Sequence, residues 1–148
     1  MREAERGRAI VWASWAGNVA FAVTAVPAAL GVDAVDDAAV AVALGLFAVS
    51  LVVWLWAFGL AVVRSARGDD IVVANLFLLQ GSAPRPVQWH LLGSVGVSVV
   101  LAVATAAADP FGVLVPMLPL GLAGLWSARH GRFPPRPVPG GPGGRRAA

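Results

Sequence analysis

Cysteine and lysine are both missing from this 148-residue chain. The first absence removes disulfides, thiolate metal sites, thiol redox chemistry and cysteine nucleophiles together. Charge is also scarce. Only 13% of residues are Asp, Glu, Lys or Arg, against about 25% in soluble domains. Histidine occurs twice, at His90 and His130. What fills the space is apolar: 58% of the chain is hydrophobic and the mean hydropathy is +0.76. A water-surrounded globular enzyme and a disordered regulator are both excluded, and an integral membrane protein is the class that remains. The net charge of +3 is carried by arginine alone. With so much Ala, Gly, Val and Pro, this points to GC-rich bacterial coding and not to nucleic-acid binding, for which no folded basic module or stacking platform is present.

Four stretches carry no charge: residues 9–30, 38–63, 89–108 and 111–127. At about 1.5 Å per residue the first three can cross a hydrocarbon core of about 30 Å as helices. The fourth is shorter and holds Pro116 and Pro119, so a kinked span is expected, with a re-entrant segment as the alternative. Asp109 and Pro110 mark its start as N-cap and first helical residue. The fold expected is all-α: a transmembrane four-helix bundle occupying residues 9–128.

Arginine sets the orientation. Arg2, Arg6 and Arg8 precede the first span, Arg64, Arg67 and Arg85 lie in the loop 64–88, and Arg129, Arg132, Arg136, Arg145 and Arg146 follow the fourth. The other two loops hold Asp33, Asp36, Asp37 and Asp109 and no base. Under the positive-inside rule both termini face the cytoplasm of a multi-pass protein in the inner membrane. Trp12, Trp15, Trp89 and Trp126 fall near the cytoplasmic ends, where indole favours the headgroup level; they are the expected interface anchors. Trp54 and Trp56 lie deeper, as packing or lipid-facing residues. A cleavable signal peptide is not expected, because the first apolar run exceeds the usual 7 to 15 residues of an h-region.

In the loop 64–88 the apolar run 71–79 sits between Asp70 and Gly81, which predicts a short interfacial helix without a clean polar face. It either covers the end of the bundle or docks another membrane protein. The tail 129–148, rich in Pro, Gly and Arg, is expected to be extended and then flexible, and its arginines suit anionic lipid headgroups.

Catalytic chemistry finds little material. His90 belongs at the wet interface and His130 at the last carbonyls of the fourth span. Two separated histidines, with Asp69 and Asp70 in a loop, give no metal site, and no serine has a base beside it. No cofactor is implied. Asn18, near the middle of the first span, calls for a hydrogen bond to a neighbouring helix or for a place on a path. Small residues recur every four positions: His90, Ser94, Ser98, Ala102 and Ala106 in the third span, and Ala16, Ala20, Thr24 and Ala28 in the first. Such stripes let helix backbones approach, within one chain or between chains of a homo-oligomer.

The run GLAGLWSARHGRFPPR at residues 121–136, together with NLFLLQGSAP at 75–84, resembles small uncharacterised actinobacterial integral membrane proteins. The resemblance implies a lineage and a membrane location, and no site or reaction. Two functions stand open: a non-enzymatic accessory or scaffolding subunit with a membrane-protein partner, or a small oligomeric transporter or channel whose path is lined by Asn18, Ser94, Ser98 and Thr105.

Overall fold

The computed structural model describes residues 7–137. It contains four helices long and apolar enough to cross a membrane and, among the described residues, no strand beyond an isolated bridge. In chain order these are α1 (Arg8–Ala29), a 3₁₀ turn (Asp33–Val35), α2 (Asp36–Ala66), one helical turn α3 (Val73–Leu76), α4 (Arg85–Thr105), a 3₁₀ segment (Pro110–Leu114) and α5 (Met117–His130).

The helix ends follow local chemistry. α2 runs 31 residues, about 46 Å, with Asp36 and Asp37 in its first turn and Arg64 in its last, each sign matched to the helix dipole. α4 begins four residues before the expected span, because Pro84 is extended (ψ 145°) and Pro86 fits the first turn. In the fourth crossing Asp109 Oδ1 accepts from the Phe111 N–H at 3.1 Å, opening the 3₁₀ segment. Pro116 then stands at the N-cap of α5. The kink expected from the prolines is therefore a change of helix type before a regular α-helix.

α5 is the centre of the bundle. It packs on α1, α2 and α4, most extensively on α2, and its crossing is 67% buried where the other three are 17–28%. Three apolar clusters run along it and a fourth lies just before its start. Phe21, Ala25, Ala43, Ala102 and Val115 fill the aspartate end. Val53, Ala57, Leu118, Leu122 and Leu125 form the middle. Ala61, Leu76, Phe77 and Ala128 join the loop to the bundle, and Leu79, Leu91, Ala123 and Trp126 complete the arginine end. Close approach is bought by glycine: a Cβ on Gly124 would collide with the Phe77 ring, and one on Gly121 would lie 2.6 Å from Trp54. Those rings stack on each other, with centroids 4.5 Å apart, and Trp54 Nε1 donates to the Met117 carbonyl at 2.9 Å.

The tail differs from expectation. Residues 129 and 130 complete α5, and the following residues lie along the loop instead of leaving it. The Asp70 N–H donates to the Pro134 carbonyl and the Arg136 N–H to the Gly68 carbonyl, at 2.9 and 2.8 Å. A proline-rich strand lacks donors but keeps its carbonyls, and the Gly68–Asp70 turn meets that pattern. The flexible stretch expected beyond Pro137, like the arginines at positions 2, 6, 145 and 146, falls outside the described residues.

Candidate functional site

Two regions collect the polar chemistry. The first is a seam between α1 and α4. The Ser14 and Ser94 hydroxyls are 2.6 Å apart. Asn18 Nδ2 donates to the Ser94 carbonyl at 2.9 Å and to its hydroxyl at 3.0 Å. All three residues are buried, as are Ser98, Thr105 and Asp109. Thr105 Oγ1 turns back to the Leu101 carbonyl at 2.9 Å. Three buried oxygens on this seam have no partner: Asn18 Oδ1, Ser98 Oγ and Asp109 Oδ2. Between the Asn18 and Asp109 levels stand Phe21, Ala25 and Ala102, all closed to solvent, so an apolar plug separates Asp109 and the neighbouring Thr105 from Ser14, Asn18 and Ser94.

The seam brings together Asn18, Ser94, Ser98 and Ala102, with Thr105 as the last buried member of α4. Ala106 is half-buried beyond the helix end: burial follows the 3.6-residue period, so after Ala102 it steps by three to Thr105 and leaves the strict four-residue stripe. His90 is exposed at the other end of that stripe. The first-span stripe is not the face that α1 packs within the chain. Ala16 and Ala20 are exposed, Thr24 is half-buried and of the stripe only Ala28 is buried, while α1 also buries Ser14, Gly17, Asn18, Phe21 and Ala25. In an alanine-rich apolar helix, small size does not mark the packed face; the polar pair Ser14 and Asn18 did.

Three of the four tryptophans expected at the interface lie outward, Trp12 and Trp89 exposed and Trp15 in part. Trp126 does not. It is 3% exposed, because it sits on the central helix and not on a lipid-facing one. Its Nε1–H has no acceptor, and that edge packs against Gly7, where the indole leaves no room for a Cβ and the backbone is left-handed (φ 80°).

The second region is a cap over the arginine end. Arg64 holds it: Nε bonds Asp69 at 2.7 Å, Nη1 donates to the Ala128 and Gly131 carbonyls at 3.2 and 2.9 Å, and the guanidinium lies 4.7 Å from the centre of the Phe133 ring. One arginine thereby joins α2, α5, the loop and the tail. Ser82 and Ser127 both donate to the Asn75 carbonyl, at 2.6 and 2.8 Å. Leu79 is buried in a left-handed conformation (φ 58°), a strain of about 1–3 kcal/mol offset by Gln88 Nε2, which donates to the Leu79 and Ala83 carbonyls at 2.6 and 3.2 Å. The expected interfacial helix is thus a single turn inside a fixed cap. The loop covers the end of the bundle, as one of the two expectations had it; what sequence reasoning missed is its fastening by Arg64, for which the cue was Arg64 at the end of a span with Asp69 five residues on and an aromatic at 133. Next to it lies a cavity of about 540 Å³ lined by Gly81, Ser82, Ala83, Pro84, Trp126, His130 and Arg132.

Among the described residues no three His, Asp or Glu side chains gather as metal ligands. Comparison with protein-family models, with curated proteins and with solved structures finds no match to this chain.

Proposed function

We propose that the protein is a non-enzymatic accessory or scaffolding subunit of a bacterial cytoplasmic membrane, with the arginine end and both termini inside the cell. The cap carries this reading. It is held by Arg64 in one shape, yet it exposes Val72, Val73 and Leu78 on an element too short to cross a bilayer. A preformed apolar patch at the end of a bundle suits a neighbouring membrane protein, and the engaged Ser14, Asn18 and Ser94 side chains serve helix packing. The test is co-purification of the tagged chain in mild detergent. A stoichiometric membrane-protein partner, lost in Val73→Glu while the melting profile is kept, supports the reading. A chain that purifies alone under all mild conditions contradicts it.

The second reading, a small oligomeric transporter or channel along the seam, is favoured by one observation: the orphaned oxygens of Asn18 and Ser98 stand on facing stripes, where water or a substrate would satisfy them. Its test is flux into liposomes holding only this chain, lost in Asn18→Leu.

A further inference from the structure

We propose, building on the scaffolding reading, that the arginine end of α2 beyond Trp56 stands clear of the bilayer and, beside the cap, docks an acidic amphipathic helix of a partner protein. Exposed indoles fix the level of the membrane surface. Trp12, Trp56 and Trp89 are exposed on three different helices, and contacts between helices give their heights along α5. Gly7 packs against Trp126 and Gly17 against Leu118, so Trp12 lies level with about Leu122. Trp54 meets Gly121 and Ala61 packs with Ala128, which sets Trp56 level with about Ala123. Ser14 pairs with Ser94, placing Trp89 opposite Ala9 and level with about Gly124. All three indoles fall within about 5 Å of one height, a belt of the kind that marks the headgroup layer. From this belt to their far ends at Ala29, Asp36 and Thr105, α1, α2 and α4 measure about 24–30 Å, close to one hydrocarbon thickness of about 30 Å.

α2 continues about 15 Å past Trp56, whereas the polar layer of a bilayer is about 5–8 Å deep on each side. Its end is nevertheless apolar. Val62 and Val63, about 9–11 Å past the belt, are exposed where no lipid tail reaches. One edge of this strip meets the cap: Phe58, about 40° round the helix from Val62, lies edge-on to Phe77 with ring centroids 5.6 Å apart. The other edge is basic. Val63 is about 20° from Trp56, over whose ring the Arg129 guanidinium lies at 5.9 Å, and Arg67 is the C-cap of α2. Both arginines are exposed, and among the described residues neither is paired with a carboxylate. An apolar strip edged by unmatched guanidinium groups fits a helix that carries Asp or Glu beside its apolar face. A second copy of this chain would set the same arginines against each other.

Two measurements on the full chain test this. In lipid nanodiscs, single cysteines replace Val62 and Val52, which are 67% and 64% exposed on the protein, so only the bilayer distinguishes them. Val52 lies about 6 Å inside the belt, and Val62→Cys should react with a water-soluble maleimide at least about tenfold faster than Val52→Cys. Equal rates would return the end of α2 to the lipid and overturn the docking face. In cells, a photo-crosslinking residue at Val62 should join one peptide of a partner, and sequencing that peptide by mass spectrometry should show an apolar face flanked by Asp or Glu. Binding of the partner retained in mild detergent should be weakened at least about tenfold by Val62→Glu, and likewise by Arg67→Glu combined with Arg129→Glu, through like-charge repulsion. Retention of that partner in Val62→Glu but not in Val73→Glu would overturn the α2 face and leave the scaffolding reading intact, whereas a chain with no partner ends both. Crosslinks confined to lipid or to a second copy of this chain would also overturn it.

Discussion

Replacing Asn18 by leucine and by aspartate separates a dry packing seam from a wet one. Asn18 is 3% exposed and uses its amide only as a donor, to the Ser94 carbonyl and hydroxyl, while Oδ1 has no partner. Interhelical polar contacts in membranes average about 0.6 kcal/mol, so leucine forfeits about 1 kcal/mol. It also removes the orphaned oxygen, whose burial costs about 1–3 kcal/mol. The net change for Asn18→Leu is therefore small, within about 1 kcal/mol of zero, or stabilising. Aspartate has the same shape and the opposite outcome. It loses both donors and turns two acceptors toward the Ser94 carbonyl in a site closed to water, for which a penalty of about 3 kcal/mol or more is expected. Thermal unfolding in detergent, followed by near-ultraviolet circular dichroism of the tryptophans, should rank the parent and Asn18→Leu together, well above Asn18→Asp. If aspartate is tolerated as well as leucine, the seam holds water, and the packing argument fails in favour of a path.

Other outcomes follow from the same contacts. Ser98 is closed to solvent and Val99 is 44% exposed, so Ser98→Ile should cost about 1–3 kcal/mol by overpacking and Val99→Ile distinctly less, as read by the melting midpoint. Gly124→Ala should destabilise because its Cβ meets Phe77, whereas Gly96, with nothing within 4 Å of a Cβ, should gain up to about 1 kcal/mol of helix propensity as alanine; equal shifts would contradict the ring contact. Arg64→Met removes the bonds to Asp69, Ala128 and Gly131, and limited proteolysis should then cut residues 67–84 and 131–137 faster while the spans stay protected.

The four spans were legible because bilayer crossing demands long charge-free runs, and the arginines and aspartates bracket them. The packed face of α4 was legible as far as Ala102, since serines in an apolar helix seldom face lipid. The face of α1 was not, because hydrophobicity does not separate lipid-facing from protein-facing positions when both surroundings are apolar. The same reason hid Trp126: its place near a span end suggested the headgroups, and only the position of α5 among three other helices buries it. In α5, Gly121, Gly124 and Ser127 at spacings of three formed a small face that marks a central helix. That the loop covers the bundle end was legible, but its fastening was not, because it rests on contacts across long sequence separation, Arg64 with Gly131 and Asp70 with Pro134, which no local pattern records.

The membrane topology tests the account most directly. The chain has no cysteine, so single cysteines can be placed at will; Asp109 is fully buried and would not report, but its neighbour Ala108 is exposed, as are Asp36, Ala66 and Pro137. In intact cells a membrane-impermeant thiol reagent should label Asp36→Cys and Ala108→Cys, and should label Ala66→Cys and Pro137→Cys only after the membrane is opened. Labelling of Ala66→Cys or Pro137→Cys in intact cells, or equal labelling at all four positions, would contradict a four-span bundle with its arginine-bearing cap in the cytoplasm.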